Sequence, residues 1–179
     1  RQRQMCIRDS NGAYFLQLLP GDLPAPDALH MLVLQTHANP EAEVVFADED
    51  SVIDGIRQNP IFKPDYGRDT LRSFNSIGRP MLVSKRVHTA VGGFRGSTPA
   101  ELWAYCIDCA SAAKQVIHIA RIGLTVIRDC DGSEIPCTDI LKREFNSLYP
   151  GDGSEKKKRT SGYCFEGSVL GTLRMRYPR

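Results

Sequence analysis

The stretch AYFLQLLPGDLPAPDALHMLVLQTHANPEAEVVFAD, residues 13–48, decides the fold class. It opens with AYFLQLL, an apolar run of strand length that is continuous enough to be buried on both faces. Asp27 stands at a helix N-cap position, and a helix is predicted from about Ala28 to Asn39, where the following proline disfavours helix. The run EVVFAD (43–48) is a second buried strand. Strand, helix and strand in this order predict a βαβ unit with parallel pairing.

The rest of the chain continues the alternation of strands and helices. Residues 49–69 are polar and rich in Gly and Pro, which predicts a long loop, and DTLRSF after it predicts a short helix. PMLVSKRVHTAV (80–91) predicts a strand that passes into a helical turn. A helix is predicted over 99–114, with a proline in its first turn, and QVIHIA (115–120) predicts a short strand. Together these elements predict an α/β domain.

Bulk properties are those of a soluble globular protein. The 179 residues are 41% hydrophobic and 25% charged, enough for one domain of ordinary size. A net charge of +2 gives no argument for a nucleic-acid partner. No apolar run approaches the roughly 20 residues of a membrane helix. Five of the six cysteines lie in the second half of the chain, which argues against a disulfide framework and for reduced thiols in a cytosolic protein.

The two ends of the chain have a different character. Residues 1–9, within RQRQMCIRDS, resemble a translated sequencing adapter and are treated as a non-native leader. Residues 129–179 are expected to leave the domain, with a helix over 139–149, a solvated linker over 150–162 and a strand within VLGTLRMRYP. The ending LRMRYPR is typical of a strand that leads into further chain rather than of a terminus.

Several short motifs occur in a fixed order between Phe46 and Gly96. They are an acid cluster (Asp48-Glu49-Asp50), a glycine and an arginine (Gly55, Arg57), P-x-FKP (60–64), Asn75 and GGFR (92–95). In this order they resemble family 2 glycosyltransferases, and more narrowly the bacterial rhamnosyl- and polysaccharide-type members, including those with tandem domains. The resemblance covers residues 10–128. It implies a partial GT-A (Rossmann-like) mixed sheet with flanking helices, lacking the N-terminal nucleotide-binding strands.

The resemblance implies an activity and a set of partners. It implies transfer of a sugar, with inversion, from a nucleotide-sugar donor to a glycan or lipid-linked glycan acceptor, in polysaccharide biosynthesis of the cell envelope. The protein would be cytoplasmic or peripheral at the inner face of the cell membrane, with no nucleic-acid partner. A second glycosyltransferase domain is expected in the parent chain, and this fragment alone is expected to be inactive.

Such chemistry needs a divalent cation on the diphosphate and a carboxylate base. In the resemblance, LLPGD (18–22) is the metal segment, and Asp22 is its remaining acid for Mg²⁺ or Mn²⁺, because Leu19 and Gly21 stand where further acids are expected. His118 is a second metal candidate, with a core-edge histidine as the alternative. Glu101 is the candidate base, although Pro99 occupies the expected position. As the alternative, Glu101 is a helix N-terminal acid.

Substrate contacts are assigned to five residues. Asp48 and Asp50 would line the donor or acceptor cleft, and Trp103 would stack on an acceptor sugar unless it is buried by its helix. Arg57 and Lys63 would meet the diphosphate or an acidic sugar, or else pair with the acid cluster as a structural network.

Two other functions stay open from the residues. The weakened metal motif and the proline at the base position favour a catalytically inactive GT-A-like module that binds glycan or scaffolds a tandem partner. A zinc or thiol-redox protein would use Cys106 and Cys109, with Cys130 and Cys137 as further zinc ligands, against structural thiols as the alternative.

Overall fold

The computed structural model describes residues 10–94, 98–127, 163–166 and 173–176. Its main body is a six-stranded mixed sheet with helices on both faces. This confirms the predicted α/β class. The elements in chain order are β1 (Tyr14–Gln17), β2 (Asp22–Pro24), α1 (Ala28–Ala38), β3 (Ala42–Ile53), β4 (Ile56–Ile61), α2 (Arg68–Ser73), β5 (Met81–Ser84), α3 (Lys85–Ala90), α4 (Pro99–Ala112), β6 (Gln115–Ile127), β7 (Tyr163–Glu166) and β8 (Leu173–Arg176).

The strand order in the sheet is β1-β5-β3-β6-β2, and β4 pairs with β3. β3 and β6 are parallel, whereas β5 is antiparallel to both β1 and β3. The predicted βαβ unit is therefore wrong in its pairing: β1 and β3 run in the same direction, but β5 lies between them. β7 and β8 form a separate antiparallel pair, and β8 falls where the final strand was predicted. The predicted leader, the 139–149 helix and the 150–162 linker lie outside the described residues.

The predicted loop over 49–69 is also wrong in its first half. β3 continues through the acid cluster to Ile53 and returns as β4. The turn is made by Asp54 and Gly55, both with positive φ, 53° and 76°. Paired positive φ values are the signature of a tight hairpin turn, which Asp-Gly favours. The acid cluster therefore lies on a strand rather than after one.

β3 is the central strand, and both of its faces are buried. Val44 and Phe46 pack on one face with Trp103 of α4, while Val45 packs on the other face with Leu32 of α1. This alternation is the period of two expected of a strand. It explains why the first half of β3 reads as a continuous apolar run in the sequence.

Gly123 of β6 lets α1 approach the sheet closely. A Cβ at this position would lie 3.1 Å from Ala47 Cβ, 3.2 Å from Pro80 Cγ and 3.3 Å from Met31 Cε. Contacts this short force neighbours to move, so glycine is the residue that fits here. Among the described residues, no helix has the length and apolar character needed to cross a membrane.

Glu43 ties the start of β3 to the two helices beside it. Its carboxylate pairs with the Arg86 guanidinium of α3 and accepts the Lys114 backbone N–H at 2.8 Å. Arg86 also donates to the Ala112 carbonyl at the end of α4, at 2.8 Å. The hydrogen bond from Arg86 and, to a smaller degree, the Lys114 N–H outweigh burial and lower the pKa of Glu43 to about 2.

Replacing Glu43 by glutamine is expected to destabilise the fold in a pH-dependent way. Because the folded pKa lies below the ordinary value of 4.5, the ionised carboxylate stabilises the fold above that value, and this contribution is lost as pH falls through about 2. We expect a loss of about 1–3 kcal/mol at pH 7, reduced by the solvent exposure of Arg86. Urea unfolding of parent and Glu43→Gln, from pH 7 down to pH 3, measures it.

The neighbouring acid provides a matched control. Glu41 pairs with Lys114 at 2.9 Å, but both side chains are more than half exposed. Glu41→Gln should change stability by less than about 0.5 kcal/mol. Equal effects of the two substitutions, or a Glu43→Gln difference that does not shrink below pH 4.5, would contradict the role given to Glu43.

Candidate functional site

The polar residues of the second half of β3 form the centre of the site. Asp48 and Asp50 are buried, at 2% and 6% exposure, although each carries a carboxylate. Buried carboxylates require hydrogen-bond or charge partners. The partners come from three places, namely His118 of β6, Lys63 in the segment that follows β4, and Arg57 of β4 itself. We call Asp48, Glu49, Asp50, Lys63 and His118 the β3 polar cluster.

Lys63 is the buried cation of this cluster. Its Nζ donates to the carbonyls of Ile77 and Arg79, at 2.8 and 2.5 Å, and lies 3.2 Å from Glu49 Oε2. Three acceptors match the three protons of an ammonium group. Burial lowers the pKa of Lys63, and the Glu49 carboxylate opposes that shift. The side chain is 4% exposed, so the ammonium is shielded from solvent and its three acceptors are protein oxygens.

Gly78 takes the positive φ on which the path of the loop between α2 and β5 depends. Its φ is +52°, and a Cβ would stand 3.5 Å from Glu49 Oε2 and 3.6 Å from Lys63 Nζ. The glycine N–H is held by Asn75 Oδ1 at 3.0 Å. Asn75 of the motif and Gly78 therefore shape the loop that Lys63 fastens to β3.

His118 lies between two carboxylates. Its Nε2 is 2.8 Å from Asp48 Oδ1 and its Nδ1 is 3.2 Å from Asp65 Oδ1. The ring stacks on Phe46, with centroids 4.8 Å apart. The same Asp48 oxygen accepts the Lys63 backbone N–H at 2.8 Å. Carboxylates only accept, so a doubly protonated ring satisfies both neighbours and a neutral ring satisfies one.

Asp65 is the part of the cluster that meets solvent. Its side chain is 94% exposed, whereas those of His118 and Asp48 are 5% and 3% exposed. A carboxylate in this position keeps free lone pairs for donors such as ligand hydroxyl groups. The chain Asp65–His118–Asp48 therefore connects the surface with the centre of the cluster.

Arg57 pairs with Asp50 across the β3–β4 hairpin. Its Nε and Nη2 lie 2.8 and 2.7 Å from Asp50 Oδ2. The guanidinium is mostly solvent-exposed, at 60%. Two interpretations were open for Arg57 and Lys63, namely substrate contact and pairing with the acid cluster. In the structure both residues pair with acids of the cluster. A substrate contact by either residue stays a prediction.

Asp22 is placed away from the cluster, on β2 opposite Val126 of β6. Its Oδ2 accepts the Leu19 N–H at 2.7 Å, and its Oδ1 is 3.3 Å from Arg79 Nη1. Asp22 on β2 and His118 on β6, the two predicted metal ligands, are thus held by different partners. In the described ranges no three His, Cys, Asp or Glu residues are grouped as metal ligands, and binding of Mg²⁺ or Mn²⁺ at Asp22 or His118 stays a prediction.

Glu101 lies in the first turn of α4. Its Oε2 accepts the Thr98 N–H at 3.1 Å, and its own N–H donates to Thr98 Oγ1 at 3.3 Å. This reciprocal pair is a capping box. Pro99 fits the same start of the helix. The helix-terminal alternative for Glu101 therefore describes its contacts, and a catalytic role for it stays a prediction.

Trp103 is a core residue. It is 2% exposed, and its indole Nε1 donates to the Leu71 carbonyl at 2.6 Å. An acceptor sugar cannot reach a ring face that is covered by the sheet and α2. The sugar-stacking role predicted for Trp103 does not fit this position, and the buried alternative does.

Cys106 and Cys109 are placed in the core by α4. Cys106 and Cys109 are buried and free, and burial raises the pKa of each thiol to about 12. A thiol that stays protonated is neither a good nucleophile nor a good metal ligand. Cys130 and Cys137, the other candidates for zinc, lie outside the described residues.

Two contact residues were missed from the sequence. Asp65 directly follows the P-x-FKP motif, and Arg79 follows Asn75 closely. The signal available in the sequence was that both residues lie beside motif residues. They were still missed, because their partners, His118 and Asp22, are distant in sequence.

Comparison with known proteins gives two relatives. Over 121 residues the chain is 33% identical to the uncharacterized protein y4gI of Sinorhizobium fredii, covering 65% of this chain and 13% of that protein. Over 102 residues it is 36% identical to the O-antigen biosynthesis protein RfbC of Myxococcus xanthus, covering 56% of this chain and 8% of that protein. No family model matches the chain. The chain therefore spans only 8–13% of the length of these curated relatives.

Proposed function

We propose that this chain is a sugar-binding module of a polysaccharide-biosynthesis protein, with a GT-A-like sheet and without catalytic activity of its own. The class of process rests on the similarity to an O-antigen biosynthesis protein. One observation supports a non-catalytic module. The resemblance assigns Asp22 to metal binding and Glu101 to proton abstraction, but both carboxylates form contacts within the chain.

The proposed binding surface is the solvent side of the β3 polar cluster. It offers the exposed Asp65 carboxylate, backed by His118 and Asp48. Phe62, at 73% exposure, precedes Asp65 by three residues in the same segment, and the exposed guanidinium of Arg57 pairs with Asp50 of the cluster. Acceptor oxygens beside an exposed aromatic ring suit a ligand with many hydroxyl groups and apolar C–H faces.

The second candidate is a glycosyltransferase that moves a sugar with inversion. The ordered motifs between Phe46 and Gly96 favour it. In this candidate Glu101 takes the acceptor proton, which requires its capping box to open. The two candidates differ in what loss of Asp22 and Glu101 would do.

Sugar transfer by the expected parent chain should continue when either Asp22 or Glu101 loses its charge. We expect Asp22→Asn and Glu101→Gln to keep the rate of sugar transfer within about twofold, because neither carboxylate acts on a substrate. Glutamine and asparagine retain the oxygens that accept the Thr98 and Leu19 N–H groups, but Asp22→Asn removes the charge partner of Arg79, so circular dichroism checks the fold of each variant before the assay. Radiolabelled sugar incorporation into polysaccharide measures the rate. A loss of about 10²–10⁴ in Glu101→Gln, the range typical of a general base, would establish the second candidate instead.

Binding is tested separately on the chain itself. The probe is O-antigen polysaccharide from Myxococcus xanthus, and the readout is microscale thermophoresis of the chain. Asp65→Asn is expected to weaken binding about tenfold, and the exposed Asp69→Asn serves as a matched control. Equal affinities for parent, Asp65→Asn and Asp69→Asn would reject the proposed surface.

A further inference from the structure

The turn between β1 and β2 is built around the Asp22 carboxylate. Asp22 Oδ2 accepts the Leu19 N–H at 2.7 Å, and the Asp22 N–H returns to the Leu19 carbonyl at 3.0 Å. Gly21 takes a φ of +88° within this turn. The side chain of Asp22 is only 1% exposed. One carboxylate oxygen is therefore used to close the turn.

The second oxygen faces Arg79, whose position is fixed. Arg79 Nη1 lies 3.3 Å from Asp22 Oδ1, and the guanidinium is 13% exposed. The Arg79 carbonyl accepts from Lys63 Nζ at 2.5 Å, and the Pro80 carbonyl accepts the Ala47 N–H at 3.3 Å. The backbone that directly follows the arginine side chain is thus held by Lys63 and by β3.

We propose that the Asp22–Arg79 ion pair stands in the place of a carboxylate–metal contact, so that Asp22 does not bind Mg²⁺ or Mn²⁺. A divalent cation at Asp22 would meet the positive guanidinium at close range. Displacing Arg79 would in turn leave its charge largely buried and unpaired, which is costly. The neighbouring positions Leu19 and Gly21 offer no carboxylate, whereas hard cations need several oxygen ligands. The inference does not depend on the proposed function.

The test uses Mn²⁺ on the 179-residue chain, with and without uridine diphosphate, whose phosphate oxygens would complete a coordination sphere. The electron paramagnetic resonance signal of free Mn²⁺ is followed while the parent chain, Asp22→Asn or Asp48→Asn is added. Asp48→Asn is the matched substitution of another buried carboxylate. We expect the parent and Asp22→Asn titrations to coincide within twofold in apparent Kd, both with and without the nucleotide. Binding by the parent that Asp22→Asn weakens tenfold or more would overturn the inference.

A second measurement needs no variant and covers the case in which Asp22→Asn fails to fold. Bound Mn²⁺ broadens the NMR signals of amides close to it. We expect no selective broadening of the Leu19, Gly21 and Asp22 amides in the parent chain at substoichiometric Mn²⁺. Selective broadening of these three amides would place the metal at Asp22 and reject the proposal.

A double-mutant comparison tests the ion pair directly. Arg79→Met should lower Tm by several degrees, because it leaves the Asp22 carboxylate buried without its cation. Adding Asp22→Asn to Arg79→Met should restore part of that loss, since the uncompensated charge is then removed. Strictly additive Tm changes would show that the two side chains do not act as a pair.

Discussion

Replacing Lys63 by methionine is expected to lower the free energy of unfolding by about 3–5 kcal/mol. Methionine fills a similar volume but donates no hydrogen bond. The carbonyls of Ile77 and Arg79 would lose their donor, and Glu49 would keep a largely buried charge without its cation. For a chain of this size such a loss lowers Tm by roughly 10 °C. Chemical denaturation followed by circular dichroism measures it.

Two variants make this test specific. Lys114→Met applies the same substitution to an ion pair whose side chains are more than half exposed, and it should cost less than about 0.5 kcal/mol. Lys63→Met combined with Glu49→Gln should recover about 1–2 kcal/mol, because the unpaired carboxylate is removed. If Lys63→Met costs no more than Lys114→Met, the buried ammonium does not hold the loop to β3.

The elements of this fold are largely readable from local pattern. α1, α2 and α4 lie within a residue or two of their predicted bounds, and β5 passes into α3 as predicted. Proline at the start of α4 and just after the end of α1 carries this signal, because it acts on its neighbours in sequence. Local rules predict local elements well.

The sheet order and the length of β3 were not predictable in the same way. The insertion of β5 between β1 and β3 depends on contacts between residues far apart in sequence. The acids at 48–50 look like the end of a buried strand, yet the strand continues because Lys63, Arg57 and His118 supply their partners. A polar run is a loop signal only when no distant partner neutralises it.

The site shows the same limit more sharply. Resemblance assigned Asp22 and Glu101 by their position in motifs, and position carries no information on what each carboxylate touches. Asp22 meets Arg79 and Glu101 meets Thr98. The capping role of Glu101 was accessible from sequence because Thr98 stands three residues before it. The contact between Asp22 and Arg79 was not accessible from sequence, because it joins the start of β2 to the segment before β5.

Replacing Trp103 separates a core role from a sugar-stacking role. Trp103→Ala is expected to cost about 3–5 kcal/mol, the range for an aromatic side chain deleted from a packed core. Trp103→Phe should cost about 1–3 kcal/mol, because the Leu71 carbonyl loses the indole donor at 2.6 Å. Unfolding is followed by circular dichroism, since this is the one tryptophan of the chain and the variants lose its fluorescence.

Phe62→Ala is the matched control, because this aromatic side chain is 73% exposed. It should change stability by less than about 0.5 kcal/mol but weaken polysaccharide binding, since Phe62 lies on the proposed surface. Trp103→Phe should do the reverse and leave affinity unchanged in the folded protein. If Trp103→Phe weakens binding at unchanged stability, the indole is a ligand contact and the α2–α4 interface must open to expose it. The two aromatic residues thus test the core and the surface independently, with one assay for each.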